Sequence, residues 1–85
     1  MKIGMLDVLG HKLRLKILRC LANGPLTAYK IVGRTGSNYA LVKRHLGMLE
    51  ESGLVVKERC GTVLVYSLNT NHEVVKALKS FLSKI

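Results

Sequence analysis

The stretch RTGSNYALVKRHLGMLEESGLV, residues 34–55, contains the turn and the helix that decide the fold. Gly36 interrupts a helical pattern, and glycine readily adopts the left-handed conformation that ends a helix. Ser37 or Asn38 follows, and either side chain can accept the first free amides of a new helix. That helix is predicted to run to about Ser52. The stretch therefore predicts two helices joined by a tight turn.

The helix after the turn is predicted to have an apolar side and a basic side. Its apolar residues recur at the spacing of one helical face: Val42, Leu46 and Leu49. Lys43 and Arg44 lie away from this face. An arginine in that position can donate two parallel hydrogen bonds to guanine or to a phosphate.

Two further helices are predicted before the turn. The first begins at Asp7 or after Gly10 and ends at ANGP, residues 22–25. Its apolar residues recur every four positions: Leu9, Leu13, Ile17 and Leu21. The second helix is short and runs from Ala28, with Thr27 as its cap, to about Arg34. We expect Ile31 and Val32 to point inward.

The pattern changes from helix to strand after Gly53. Residues 54–59 and 63–68 are rich in β-branched side chains, and Gly61 lies between them, as a hairpin reversal requires. A last helix is predicted over 72–85 after the capping cluster 69–71. Its apolar stripe contains Val74, Leu78, Phe81 and Ile85.

Composition favours a single cytoplasmic globular domain. The chain has 85 residues, of which 48% are hydrophobic and 22% charged, too apolar for a disordered tail. It lacks both an apolar run long enough to span a membrane and a leader typical of secretion. Cys20 and Cys60 lie far apart in sequence, which favours reduced thiols over a zinc site. The five acidic residues form no recognisable catalytic pair, so no enzymatic activity is predicted.

Charge is the strongest indication of a partner. The formal net charge is +9, and no acidic residue occurs between Asp7 and Glu50. A polyphosphate favours such a chain, because binding releases the counterions condensed on the phosphates. An anionic lipid surface is the main alternative, but a membrane-surface helix needs exposed bulky anchors, and this chain has few aromatic residues. Nucleic acid is therefore the favoured partner.

The predicted order is helix, helix, turn, helix, hairpin, helix. With RLKIL, NGPLT, RHLGMLEESGLV and GTVLVYSL in this order, residues 11–68 resemble a winged helix-turn-helix transcription regulator of the ArsR type. The resemblance implies a mainly α fold with a small β-hairpin (α+β), of order α-α-α-β-β-α, over a single domain at 1–85. It also implies a sequence-specific regulator of transcription that binds double-stranded DNA, most often as a repressor.

The resemblance assigns DNA contacts to the start of the third helix and to the wing. On the helix they are Ser37, Asn38, Tyr39, Ala40, Lys43 and Arg44. Tyr39 can contact a phosphate or a thymine methyl group, or can instead pack against the second helix. On the wing, Lys57 and Arg59 can reach the minor groove or a flanking phosphate. The alternative is that these two charges only discourage pairing of an exposed strand edge.

The sequence departs from the family pattern in three respects. Ser37 stands where related proteins commonly keep an apolar anchor, and Val63 and Val65 stand where their wings are often basic. The closely spaced cysteine pair of metal-sensing members is absent, so neither a metal nor another cofactor is predicted. The three histidines have no chelating spacing; His45, beside Arg44, is a weaker candidate for a phosphate contact.

Both ends of the chain carry apolar residues beyond what a three-helix core can bury. We expect segments 1–10 and 72–85 to form a homodimer interface that includes Ile3, Leu6, Val74, Leu78, Phe81 and Ile85. The alternative is that both segments cover the core of their own protomer. Two other functions also fit the pattern: a chromatin-like binder of low specificity and a winged-helix module for protein docking.

Overall fold

The computed structural model describes the backbone of residues 12–82 and the side chains of residues 12–80. Within this range the chain forms four helices and three strands, in the order α1 Lys12–Leu21, β1 Leu26–Thr27, α2 Ala28–Thr35, α3 Tyr39–Glu51, β2 Val55–Cys60, β3 Val63–Leu68 and α4 Glu73–Leu82. Apart from the additional short strand β1, this is the order that the sequence predicts. No helix in the described part is long and apolar enough to cross a membrane.

The core combines the predicted apolar stripes of α1 and α3 with residues of α2, the sheet and α4. The stripe of α3 is completely buried: Val42, Leu46 and Leu49 each have 0% exposure. From α1, Ile17 and Leu18 are buried against it, and Ile31 of α2 joins the same cluster. Since burial of each such side chain contributes about 1.5–3 kcal/mol, these contacts fix the rotation of α3 about its axis.

The turn between α2 and α3 is built as the sequence predicts. The hydroxyl of Thr27 accepts a hydrogen bond from the amide of Lys30 and begins α2. Gly36 ends α2 in the left-handed conformation, with φ 71°, and its amide donates to the carbonyl of Val32 at 2.9 Å. Asn38 then caps α3, since its Oδ1 accepts from the amide of Leu41 at 2.8 Å.

The sheet has one strand more than the sequence predicts. The short strand β1 pairs antiparallel with β3, which places β3 in the middle of the order β1-β3-β2. A strand of two residues is too short to show an alternating pattern, so its pairing depends on a tertiary contact, Leu26 with Tyr66. The expected hairpin of β2 and β3 is present, and it pairs Val55 with Leu68 and Cys60 with Val63.

The start of α4 differs in detail from the prediction. The amide of Val74 donates to Nδ1 of His72, so His72 caps the helix instead of belonging to it. Asn69, from the predicted capping cluster, donates to the carbonyl of Gly53 and so connects the loop before α4 to the turn after α3. Val75 is 1% exposed and enters the core.

The predicted interface residues of the two chain ends have different positions. Val74 and Leu78 are half-buried against the core of their own protomer. Ile3, Leu6 and Ile85 lie outside the described residues, as does the side chain of Phe81. The homodimer interface therefore stays a prediction at this point.

Two residues of the helical layer have interior positions that the sequence did not indicate. Arg14 of α1 is 8% exposed, and its Nε donates to Nδ1 of His45 at 3.1 Å. His45 is itself 4% exposed, so the suggestion that it contacts a phosphate is wrong. The same guanidinium lies 3.0 Å from the sulfur of Met48. Burying this arginine is tolerable because polar partners face it.

Gly36→Ala is expected to destabilise the fold by about 1 kcal/mol, because a Cβ is unfavourable at a positive φ. The matched control is Gly33→Ala in α2, where a Cβ would meet nothing within 4 Å. That variant is expected to stabilise by about 0.5–1 kcal/mol, because alanine is the better helix former. Urea unfolding followed by circular dichroism measures both free energies. Equal effects of the two substitutions would contradict the assigned turn.

Candidate nucleic-acid interface

The basic side of α3 faces away from the core, as the sequence predicts. Arg44 is exposed and Lys43 is half-buried. The Nζ of Lys43 donates a hydrogen bond to the hydroxyl of Tyr66 on β3 at 2.9 Å and lies 5.5 Å from the centre of its ring. A direct polar contact therefore joins α3, the reading helix, to the wing formed by β2 and β3.

Tyr66 is a site residue that the sequence did not reveal. The residue is only 3% exposed, so Tyr66 belongs to the core. Its hydroxyl raises the pKa of Lys43, with partial burial acting in the opposite direction, and Lys43 therefore keeps its charge at neutral pH. Only the tertiary structure brings this hydroxyl to α3.

Two exposed tyrosines form a stacked pair at the start of α2 and α3. The ring centres of Tyr29 and Tyr39 are 4.7 Å apart with an angle of 25° between the planes. Tyr29 remains 74% exposed and Tyr39 41% exposed. Tyr39 thus packs against the second helix, as one prediction has it, and stays exposed enough for the DNA contact of the other prediction. Tyr29 was not among the predicted site residues.

A cleft of about 320 Å³ lies between the tyrosine pair and the wing. Its walls come from the start of α2, the first turns of α3 and the strand β3, namely Thr27, Ala28, Tyr29, Tyr39, Lys43, Thr62, Val63, Leu64 and Tyr66. These side chains include one cation and no carboxylate. Five of the lining residues carry a hydroxyl group. Such a lining suits an anion.

The two predicted wing cations differ in availability. The Nζ of Lys57 lies 3.8 Å from Oε1 of Glu50 on α3, with both side chains partly exposed. This ion pair contributes little to stability, about 0–1 kcal/mol, but it offsets the charge of Lys57. Arg59 is exposed near the hairpin turn. Val63, the register partner of Cys60, is 44% exposed and adds no charge to the wing.

The remaining predicted contacts lie at the start of α3. Asn38 and Ala40 are exposed and Ser37 is half-buried. The Oδ1 of Asn38 is used by the helix cap. The amide of Ser37 donates to the hydroxyl of Thr35 at 3.4 Å, so this position serves the turn and not an apolar anchor. The six predicted positions therefore run from the turn before α3 to the middle of that helix.

A second basic groove lies outside the helix-turn-helix surface. Lys16, Arg19 and Arg34 line it together with Cys20. Burial raises the pKa of Cys20, and the two nearby arginines offset this only in part, so the thiol is not activated. Arg19 and Arg34 occupy the last turns of their helices, where a cation is favoured by the helix dipole. This ordinary structural reason accounts for these two charges.

A metal centre finds no support in this part of the chain. No group of three or more histidine, cysteine or acidic side chains lies together among residues 12–80. His72 accepts from the α4 backbone, and Cys60 is an exposed free thiol at the end of β2.

Helix, turn, basic helix and wing together define a winged helix-turn-helix protein. Residues 11–57 match the family described as bacterial regulatory protein, arsR family, and the chain belongs to this family. The resemblance noted in the sequence is thereby confirmed.

Individual relatives agree with this assignment. The chain is 39% identical over 67 residues to the HTH-type transcriptional regulator NmtR of Mycobacterium tuberculosis. This match includes 79% of the chain but only 56% of that regulator, so the chain spans little more than half of its curated relative.

Two solved structures are similar in fold. The homodimeric winged helix-turn-helix DNA-binding domain of a Mycobacterium bovis protein matches with TM-score 0.77 and 31% identity, over 91% of this chain and 69% of that one. The transcriptional repressor BigR from Xylella fastidiosa matches with TM-score 0.79 and 25% identity, over 93% of this chain and 79% of that one.

Asn38→Ala is expected to lower the free energy of unfolding by about 1 kcal/mol, because the first amides of α3 lose their acceptor. Asn38→Asp should stay within about 0.5 kcal/mol of the wild type, since a carboxylate caps equally well and suits the helix N-terminus. Chemical denaturation of the three proteins provides the measurement. An alanine variant as stable as the wild type would rule out the cap.

Proposed function

We propose that this chain is a DNA-binding regulator of transcription that represses by occupying its operator. The observation that carries the proposal is the exposed basic side of α3. It faces solvent because the apolar side of the same helix is completely buried in the core. A helix presented in this way fits the major groove, which is just wide enough for one helix. Membership of a regulatory family and the similarity to a repressor support the same conclusion.

In the proposed complex, residues 38–52 lie in the major groove and residues 54–68 reach the flanking backbone or minor groove. Arg44 is the candidate for reading a base, because it is exposed and its guanidinium can bind guanine through two hydrogen bonds. Ser37, Asn38, Tyr39 and Ala40 surround the point of entry, and Arg59 is the most available wing cation. Lys57 contributes less while Glu50 holds it.

We further propose that the functional unit is a homodimer. Pairing lets two reading helices contact half-sites about 34 Å apart, one turn of the duplex. The similar M. bovis domain is homodimeric, which supports pairing for this chain as well. Segments 1–10 and 72–85 are the proposed contact regions; in the latter, Val74 and Leu78 have part of their surface uncovered.

Other functions have less support. Family membership does not favour a chromatin-like binder or a docking module, although each would make use of part of this surface. The relatives are regulators, and we propose that the chain likewise acts on cytoplasmic DNA without enzymatic activity of its own.

The proposal is tested by titrating the purified chain with two duplexes at several salt concentrations. One is a fragment selected by binding from the source genome, and the other is a mixed-sequence duplex of equal length. A sequence-specific regulator should prefer the selected fragment by about a thousandfold or more. A ratio near one would identify a low-specificity binder. Absence of binding to both duplexes at low salt would favour protein docking.

Glu50→Gln is expected to tighten binding to both duplexes about threefold at low salt. The substitution removes a negative charge that repels the DNA phosphates, and it releases Lys57 from its ion pair. Glu73→Gln removes the same charge from the start of α4 and serves as the matched control. The advantage of Glu50→Gln over the control should shrink as salt is added. Equal affinities for the two variants would place Glu50 and Lys57 outside the interface.

A further inference from the structure

We propose that the cleft between α3 and β3 is the seat of one backbone phosphate of the bound duplex, and that Tyr66 is the residue that positions Lys43 to bind it. This inference rests on the proposed function and assigns a DNA phosphate group to this cleft. It also gives Lys43 a role different from that of Arg44, since Lys43 would bind the backbone and not a base.

The first step is the geometry of the duplex. The two grooves of DNA are separated by the sugar-phosphate strands. A helix in the major groove and a hairpin directed at the next minor groove must therefore have one strand between them. In this protein the space between the reading helix and the wing is the cleft lined by Lys43, Tyr66 and the tyrosine pair. The strand would have to cross here.

The second step is the chemistry of the cleft. A phosphate oxygen accepts hydrogen bonds and carries charge, so it needs donors and a cation without a competing carboxylate in contact. Lys43 supplies the cation, and the hydroxyls of Thr62 and Tyr39 lie in the same lining. Glu50 is near enough to act on Lys43 electrostatically, but it does not line the cleft and is paired with Lys57.

The third step is the way Lys43 is held. An ammonium group has three donors, and the hydrogen bond to Tyr66 uses one of them, which leaves two for a ligand. A free lysine loses side-chain entropy when it binds, whereas a lysine already held against a buried ring loses less. The 3% exposure of Tyr66 means that the phenol ring itself is fixed by the core. Tyr66 therefore acts through Lys43 and need not touch the DNA.

The test is a double-mutant cycle on DNA binding with Lys43→Met, Tyr66→Phe and the double variant. Each is titrated with the selected fragment and with the mixed-sequence duplex over a range of salt. Lys43→Met should lower the salt slope of the binding constant by about 0.9 on both duplexes, the value for one lost phosphate contact. Tyr66→Phe should weaken binding about threefold to tenfold alone and less than twofold in the Lys43→Met background. Lys76→Met, an exposed lysine on α4, is the matched charge control.

A neutral backbone gives a second readout. Methylphosphonate linkages are placed one at a time along each strand of the selected fragment. One linkage should weaken the wild type severalfold and leave Lys43→Met unaffected, because that variant has already lost the contact. Thermal unfolding of each variant confirms that the fold is retained, and the phenylalanine ring preserves the packing of Tyr66.

The outcomes separate the two proposals. If the wild type binds and Lys43→Met loses affinity only for the selected fragment, Lys43 reads a base and the phosphate seat is refuted. A loss from Tyr66→Phe that is equally large without Lys43 would refute the positioning role. A salt slope that changes no more in Lys43→Met than in Lys76→Met would refute the seat as well. Failure of the wild type to bind either duplex would instead overturn the proposed function, and this inference with it.

Discussion

Burial of the apolar side of α3 is the interaction on which the rest of the structure depends. Val42, Leu46 and Leu49 are fully buried, and α1, α2 and the sheet contribute the other walls of the same core. A helix whose one side is fixed in this way cannot rotate without exposing several large side chains, at about 1.5–3 kcal/mol each. The direction of the basic side follows from this constraint. Function therefore depends on the core even though no core residue is proposed to touch DNA.

Polar contacts add precision to what packing fixes only approximately. The Asn38 cap determines where α3 begins, and the bond from Lys43 to Tyr66 joins the helix to the wing. Lys57 and Tyr66 are register partners on the hairpin, so the ion pair to Glu50 and the hydrogen bond to Lys43 connect neighbouring positions of the wing to one helix. The wing and the reading helix consequently form one unit. A shift of either element would alter the cleft between them.

The distribution of charge divides the surface into parts with different physical explanations. Arg19 and Arg34 are favoured where their helices end, and Arg14 is buried with His45 and Met48. These cations contribute to the net charge without marking the interface. The functional proposal rests instead on the basic side chains of α3 and the wing, of which Arg44 and Arg59 are exposed. Net charge indicated the class of partner, whereas position distinguishes the cations that have a structural explanation from those proposed to bind DNA.

The sequence by itself determined the order of helices, the turn at Gly36, the hairpin and the apolar stripes, because local conformation and side-chain periodicity are properties of neighbouring residues. It also determined which cations could lie on α3. Only the tertiary structure decided that Arg14 and His45 are interior, that β1 completes the sheet, and that Tyr29 and Tyr66 belong to the candidate site. Each of these depends on a contact between residues far apart in the chain, such as the 31 positions that separate Arg14 from His45. The periodicity of one helix or strand does not specify which residues of other elements it will contact.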